Sequence, residues 1–179
     1  MQSPSTEMPA VIRLVTASAT PDIQKAAICK YFTIDAGYRH PLFLVEPAAE
    51  SRDRVLAVYQ WYRTISHDLK VDVQDVVYDR LHNKAYVDIV QTINLRFSPF
   101  TSRHYRIMCR FTLRTKAGLH YICKKEDFLH PDDVVAMICP PASPLVKMCL
   151  LAAAISFRVI TNWFQLLGFW TAPQNVDHV

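Results

Sequence analysis

The 179 residues suit one domain plus an appendage, and 51% hydrophobic with 20% charged residues is too apolar for disorder and leaves no room for a second catalytic domain. A net charge of +4 and a pI near 8.8 are mild, and the lysines and arginines are scattered rather than clustered with stacking aromatics. That pattern argues against a nucleic-acid partner and suits an anionic membrane surface at least as well. Cys29, Cys109, Cys123, Cys139 and Cys149 form no CxxC pair and are odd in number, so they read as reduced core residues rather than a zinc site or a disulfide framework.

The opening MQSPSTEMPAVIRL has no basic region followed by an apolar core, so it does not read as a signal peptide. Val11, Ile12, Leu14 and Val15 predict a first helix that ends near Ala19-Thr20-Pro21, and Asp22 is placed to cap a second running through Ile23, Ala26, Ala27 and Ile28 toward Tyr31-Phe32. The segment TIDAGYRHPLFLV breaks the helical pattern, and Pro41 excludes His40 from helical geometry. A third helix follows from Ser51 to about Ser66, because Val55, Leu56, Val58, Tyr59, Tyr62 and Ile65 recur at helical spacing.

The period then changes to two, near Lys70 to Tyr78, Lys84 to Phe97, His104 to Lys116 and Leu119 to Lys125, which predicts an antiparallel meander. Helices followed by strands indicate an α+β domain with the helices on one face of a curved sheet, spanning residues 1–139. Residues 140–144 hold Pro140, Pro141 and Pro144 and read as a stiff linker. The run Leu145 to Trp170 is about the length needed to cross a bilayer. Arg158 near its middle costs about 2.5 to 3.5 kcal/mol on insertion scales, so spanning and interfacial placements both stay open, as does a buried core helix. A polar tail, 171–179, ends the chain.

Val11-Ile12-Arg13-Leu14, Tyr31-Phe32 with Ala36 and His40-Pro41, Tyr59-Gln60-Trp61-Tyr62, the strand YVDIVQTINLRFSPF, and Pro140-Pro141 before an apolar tail together resemble the fungal SigF-like branch of the nuclear-transport-factor-2-like superfamily. The resemblance implies a cone of three helices on a curved sheet, enclosing a mostly apolar pocket. Relatives of similar shape isomerise ketosteroids, dehydrate scytalone, cyclise polyketides or open limonene-type epoxides, and others only bind or dimerise. Fold alone does not choose among them. Lys125-Glu126-Asp127-Phe128 departs from the Gln-x-Asp-Leu-like end that the branch tends to carry, and Arg110 is followed two residues on by Thr112 rather than the Asp of the epoxide hydrolases.

The resemblance puts His40-Pro41 where ketosteroid isomerase-like proteins carry an Asp-Pro, so His40 is a candidate general base, or else a loop histidine bonded to backbone. Alternation places Gln91 on the apolar face with Val87, Ile89 and Ile93, as a substrate-binding amide or a paired core amide. Arg106, Arg110 and Arg114 fall on the opposite face of their strand, as a solvated surface. Of the strand-end pair Glu126 and Asp127 only one can face inward; alternation from Tyr121 and Cys123 selects Asp127, which in an apolar setting would serve proton transfer, or else is a surface carboxylate beside Lys124 and Lys125. Tyr31, Tyr38, Tyr59, Trp61 and Tyr62 are expected to line or cover the pocket, or to pack in the core. No GxSxG, phosphate loop or HExxH is present, so no cofactor or metal is expected.

These features predict a membrane-associated, cofactor-free acid-base enzyme for a hydrophobic polyketide or terpenoid of fungal secondary metabolism, acting as isomerase, dehydratase, cyclase or epoxide hydrolase. The alternative is a non-catalytic lipid- or protein-binding module. A homodimer is compatible with either, and the expected setting is the endoplasmic reticulum membrane with the domain in the cytosol.

Overall fold

A computed structural model describes residues 1–96 and 103–170, apart from the side chains of His67 and Arg103. Helices α1 (Pro4–Thr16), α2 (Pro21–Tyr31) and α3 (Ser51–Ile65) accompany a curved sheet of β1 (Phe32–His40), β2 (Phe43–Val45), β3 (Ser66–Asp79), β4 (Lys84–Leu95), β5 (Arg103–Lys116) and β6 (Leu119–Phe128). Phe97, the expected end of the β4 strand, and the tail 171–179 lie outside the described residues. The sheet order is β2-β1-β6-β5-β4-β3, antiparallel except where β1 runs parallel to β6. Helix α1 packs on β3 and α3 on β1. The sheet face under the helices is apolar, with Ala85, Val87, Ile89 and Ile93 of β4 and Tyr105, Ile107, Cys109, Phe111 and Leu113 of β5 all buried.

Two local expectations change. The cap of α2 is Thr20, whose hydroxyl accepts the Ile23 N–H at 3.4 Å with Pro21 in the first helical position, so Asp22 lies inside the first turn. The segment after α2 is also not a loop. It forms β1 and β2, joined by a tight turn at Pro41-Leu42 with His40 opposite Phe43. Period-two alternation is hidden because β1 carries an irregularity between Phe32 and Gly37 while its partner β6 advances only from Ile122 to Lys124.

Gly37 stands where the chain of β2 and the proline after it pass close to β1. A Cβ there would meet the Pro47 ring at 2.8 Å and the Val45 carbonyl oxygen at 3.2 Å, neither of them a flexible side-chain end. Gly37→Ala is therefore expected to cost about 1 to 3 kcal/mol of overpacking, read as a lowered urea midpoint.

The chain divides into two compact units, Met1–Val134 and the part from Val135 onward. Helix α4 (Pro131–Ile138) crosses this boundary. Residues Pro140–Ala142 make one 3-10 turn, and Ser143 opens α5 (Ser143–Leu166). The stretch Pro140–Leu166 is long and apolar enough to cross a membrane by length and composition, an 18-residue window within it reaching a mean hydropathy of 1.7, and α5 has no buried residue. The cysteines also depart from expectation, since Cys109 is buried and Cys123 half-buried while Cys29, Cys139 and Cys149 are exposed; all five are free thiols.

Candidate functional site

The register of β1, β6 and β5 sets Tyr38 beside Lys125 and Lys125 beside Phe111, with Asp127 one step on, opposite Cys109. Alternation alone would not deliver this. Tyr121 is only half-buried and Ile122 fully buried, and a bulge at Cys123, between the Thr112–Lys124 and Leu113–Ile122 pairs, shifts the phase so that Lys125 and Asp127 point inward.

Three side chains then close a buried triangle. The Tyr38 hydroxyl donates to Asp127 Oδ2 at 2.6 Å, and Lys125 Nζ donates to the same oxygen at 2.9 Å and to the Tyr38 hydroxyl oxygen at 2.8 Å. The side chains of Lys125 and Asp127 are only 8% and 3% exposed. Burial opposes the charge on Lys125, but Asp127 foremost outweighs it and holds the ammonium pKa well above its usual value. Lys125 Nζ also lies 4.3 Å from the Tyr38 ring centre and 5.3 Å from that of Tyr59. Burial, reinforced by the Asp127 charge, raises the Tyr38 phenol well above its ordinary pKa, so it stays a donor. Asp127 Oδ1 is buried and has no hydrogen-bond partner among the described residues. Across the ladder, the Cys109 thiol is pushed well up by burial and then by Asp127, and offers that carboxylate only a weak S–H dipole.

Aromatic rings surround the triangle. Tyr38 stacks on Tyr59 at 5.7 Å between ring centres and meets the edge of Phe43 at 5.0 Å. His40 stacks on Phe43 at 4.7 Å, with Tyr62 at 6.3 Å. Burial pushes the phenols of Tyr59 and Tyr62 up to about 12, which keeps both neutral.

His40 joins this cluster, at 6% exposure, but its chemistry turns away from the general base that its position implied. Its Nδ1 accepts the Leu42 N–H at 3.2 Å, which leaves the proton of the neutral ring on Nε2. Burial lowers its pKa to about 4, against the opposing pull of Asp127. Near neutral pH His40 is therefore an uncharged ring whose free nitrogen donates. Between pH 6.5 and 4 the unfolded chain binds a proton at this site that the folded chain refuses, so stability falls as pH falls through that window. A full shift is worth about 3 kcal/mol at 1.36 kcal/mol per unit, and about 2 after solvent screening. His40→Asn keeps an acceptor for Leu42 and removes the titration. Urea unfolding at pH 7 and at pH 4.5 should show wild type losing about 1.5 kcal/mol more than the variant, the part of the shift that falls in that interval, since acidic groups common to both cancel.

The other expected residues separate. Gln91 is buried at 9% exposure opposite Tyr105, on the face that alternation gave it. Tyr31 stands apart at the end of α2, half-buried, with Lys30 Nζ 5.2 Å from its ring centre. Trp61 is 56% exposed and meets Tyr62, at the border of the cluster, edge-on at 5.3 Å between ring centres. On the outer sheet face Arg106 pairs with Asp88, Arg110 with Glu126 and Arg114 with Asp35. Burial would raise the Glu126 pKa, but Arg110 and Lys124 together hold it below the usual value, so Glu126 belongs to this ladder. Lys125 was not anticipated. Its signal is that it precedes Asp127 by two residues in a strand, and an inward carboxylate calls for a counter-charge on its own face. Among the described residues no group of His, Cys, Asp and Glu is arranged to hold a metal ion.

Solved structures of the same shape define the class. A protein with a ketosteroid isomerase-like fold from Catenulispora acidiphila, solved with trimethylamine, aligns with a TM-score of 0.54 at 14% identity over 72% of this chain and 91% of its own. A putative SnoaL-like polyketide cyclase from a Jannaschia species gives 0.55 at 15% identity over 75% and 93%. AclR, a putative hydroxylase from Streptomyces galilaeus, gives 0.53 at 14% identity over 86% and 97%. At such identities the likeness is one of fold, the nuclear-transport-factor-2-like fold. More narrowly, the profile of the SigF NTF2-like domain matches residues 1–169, and the chain belongs to that family. No curated protein matches it in sequence.

Proposed function

We propose that this chain is a membrane-associated, cofactor-free acid-base enzyme acting on a hydrophobic polyketide or terpenoid in fungal secondary metabolism. The observation that carries the reading is Asp127, a nearly buried carboxylate with Oδ2 anchored by Tyr38 and Lys125 and Oδ1 unpartnered. A carboxylate fixed through one oxygen presents the other as a proton acceptor of defined direction. When Oδ1 takes a proton from a substrate C–H or O–H, the negative charge passes to the substrate oxygen and Lys125 stays charged beside it, so the buried ion pair is exchanged rather than separated. Tyr59, Tyr62 and Phe43 would bind the substrate, with His40 Nε2–H as a neutral donor. That similar folds include a putative polyketide cyclase and a protein solved with trimethylamine supports a small-molecule ligand.

A second reading, a non-catalytic binding module, is favoured by the closed triangle itself, which satisfies Lys125 and Tyr38 without any ligand. Co-expression with biosynthetic enzymes encoded beside this chain, and comparison of products with and without it, separates the two. Under the enzymatic reading Asp127→Asn lowers turnover about a hundredfold or more per folded molecule. An unchanged product profile when the whole chain is removed would select the binding module.

A further inference from the structure

The apolar helix α5 is not apolar all round. Lys147 and Arg158 are eleven residues apart and Arg158 and Gln165 seven, by subtraction of their numbers. At about 3.6 residues per turn these spacings are close to three and two whole turns, so the three side chains lie one above another. Asn162 and Thr161, four and three residues beyond Arg158, flank the same line, and Ser143 continues it four residues before Lys147. Every Lys, Arg, Asn, Gln and Thr of the helix therefore shares one stripe, on which Leu151 and Ala154 fill the turns between Lys147 and Arg158. The polar residue opposite, Ser156, ties its hydroxyl to the Ala152 carbonyl oxygen at 2.9 Å, which removes its need for water. Around the rest of the helix stand Leu145, Met148, Ile155, Phe157, Val159 and Trp163, all exposed. No Asp or Glu occurs from Ser143 to Trp170.

We infer that α5 lies in the plane of an anionic membrane surface, its apolar faces among the acyl chains and its Lys147–Arg158–Gln165 stripe among the headgroups. This rests on the membrane-associated reading above and gives it a geometry. If the helix crossed the bilayer, Arg158, about 5 Å from the helix midpoint at 1.5 Å per residue, would sit within the hydrocarbon, and a common stripe would bring no advantage. Lying flat, the helix buries the apolar side chains off the stripe, such as Leu145, Ile160 and Trp163, while no polar stripe residue leaves the headgroup layer. The two stripe cations, with no acid beside them, match a layer of negative headgroups.

The test uses the full chain with the exposed Cys29, Cys139 and Cys149 changed to serine, bound to sealed vesicles of phosphatidylcholine and phosphatidylserine. Single cysteines are placed along α5 and challenged from outside with a membrane-impermeant maleimide. Labelling of Lys147→Cys, Asn162→Cys and Gln165→Cys, with protection of Leu145→Cys, Ser156→Cys and Ile160→Cys, is the expected pattern. Labelling at Lys147→Cys with protection at both Asn162→Cys and Gln165→Cys would mean a crossing helix and overturns the inference while leaving membrane association intact. Labelling at all positions overturns both, and a protected stripe beside a labelled apolar face means that protein covers the stripe and likewise overturns the inference. Independently, Arg158→Gln should weaken binding to these vesicles roughly fivefold, with little change on vesicles of phosphatidylcholine alone.

Discussion

Lys125→Met should lower the unfolding free energy by about 3 to 5 kcal/mol, a large share of the roughly 5 to 15 kcal/mol typical of a domain. The loss arises because Asp127, 3% exposed at its side chain, would keep its charge with only the Tyr38 hydroxyl to meet it, or take up a proton to avoid it. Removing both charges is expected to undo the damage. In Lys125→Met/Asp127→Leu no ion remains to desolvate, and the remaining penalty is the orphaned Tyr38 hydroxyl, about 1 to 3 kcal/mol. Adding Tyr38→Phe should remove that too and return stability to that of wild type or above. Urea titrations of the single, double and triple variants check the series. A Lys125→Met protein as stable as wild type would show that the pair is not electrostatically closed. The triple variant is also a control for function, since it retains the fold and lacks every group of the proposed proton transfer.

Ending the chain after Ala142 should move the protein from the membrane pellet to the soluble fraction with the domain still folded. The first compact unit closes at Val134, and α5 contributes no buried residue. Exposed leucines, isoleucines, phenylalanines and tryptophans along α5 and its end make it the segment best suited to hold the chain at a bilayer. Sedimentation after cell breakage, with circular dichroism and thermal unfolding of the shortened chain, reads both parts. If the shortened chain unfolds, α5 is core and the membrane reading fails.

Strong periodicity was legible and interrupted periodicity was not. The helix Ser51–Ile65 and the strands Lys84–Leu95 and Arg103–Lys116 stand in the residues almost to their ends, because each repeats its apolar period without a break. Strand β1 was hidden by the irregularity before Gly37, and β2 is only three residues long. The site suffered from the same cause. Asp127 was placed inward from a phase that Tyr121 does not obey, and the bulge at Cys123 restored the outcome. Lys125 is hard to read as an inward residue because lysines are rarely buried unless paired, and its partner lies two residues away on the same strand. The cation ladder of β5 could be read in part, since alternation turned Arg106, Arg110 and Arg114 outward but the acids that meet them come from three other strands.

Strand β3 ends the sheet order, with β4 on one side only. A strand of fourteen residues in that position offers a row of backbone groups to any other chain that arrives extended. Two irregularities, between Ser66 and Asp68 and between Val73 and Asp75, interrupt the row, and Asp68, Lys70, Asp72 and Asp75 stand exposed along it. A second strand docking there would lose register twice and bring its side chains against alternating charge. The long border of the sheet is thereby guarded against stacking into aggregates from the moment the chain is made.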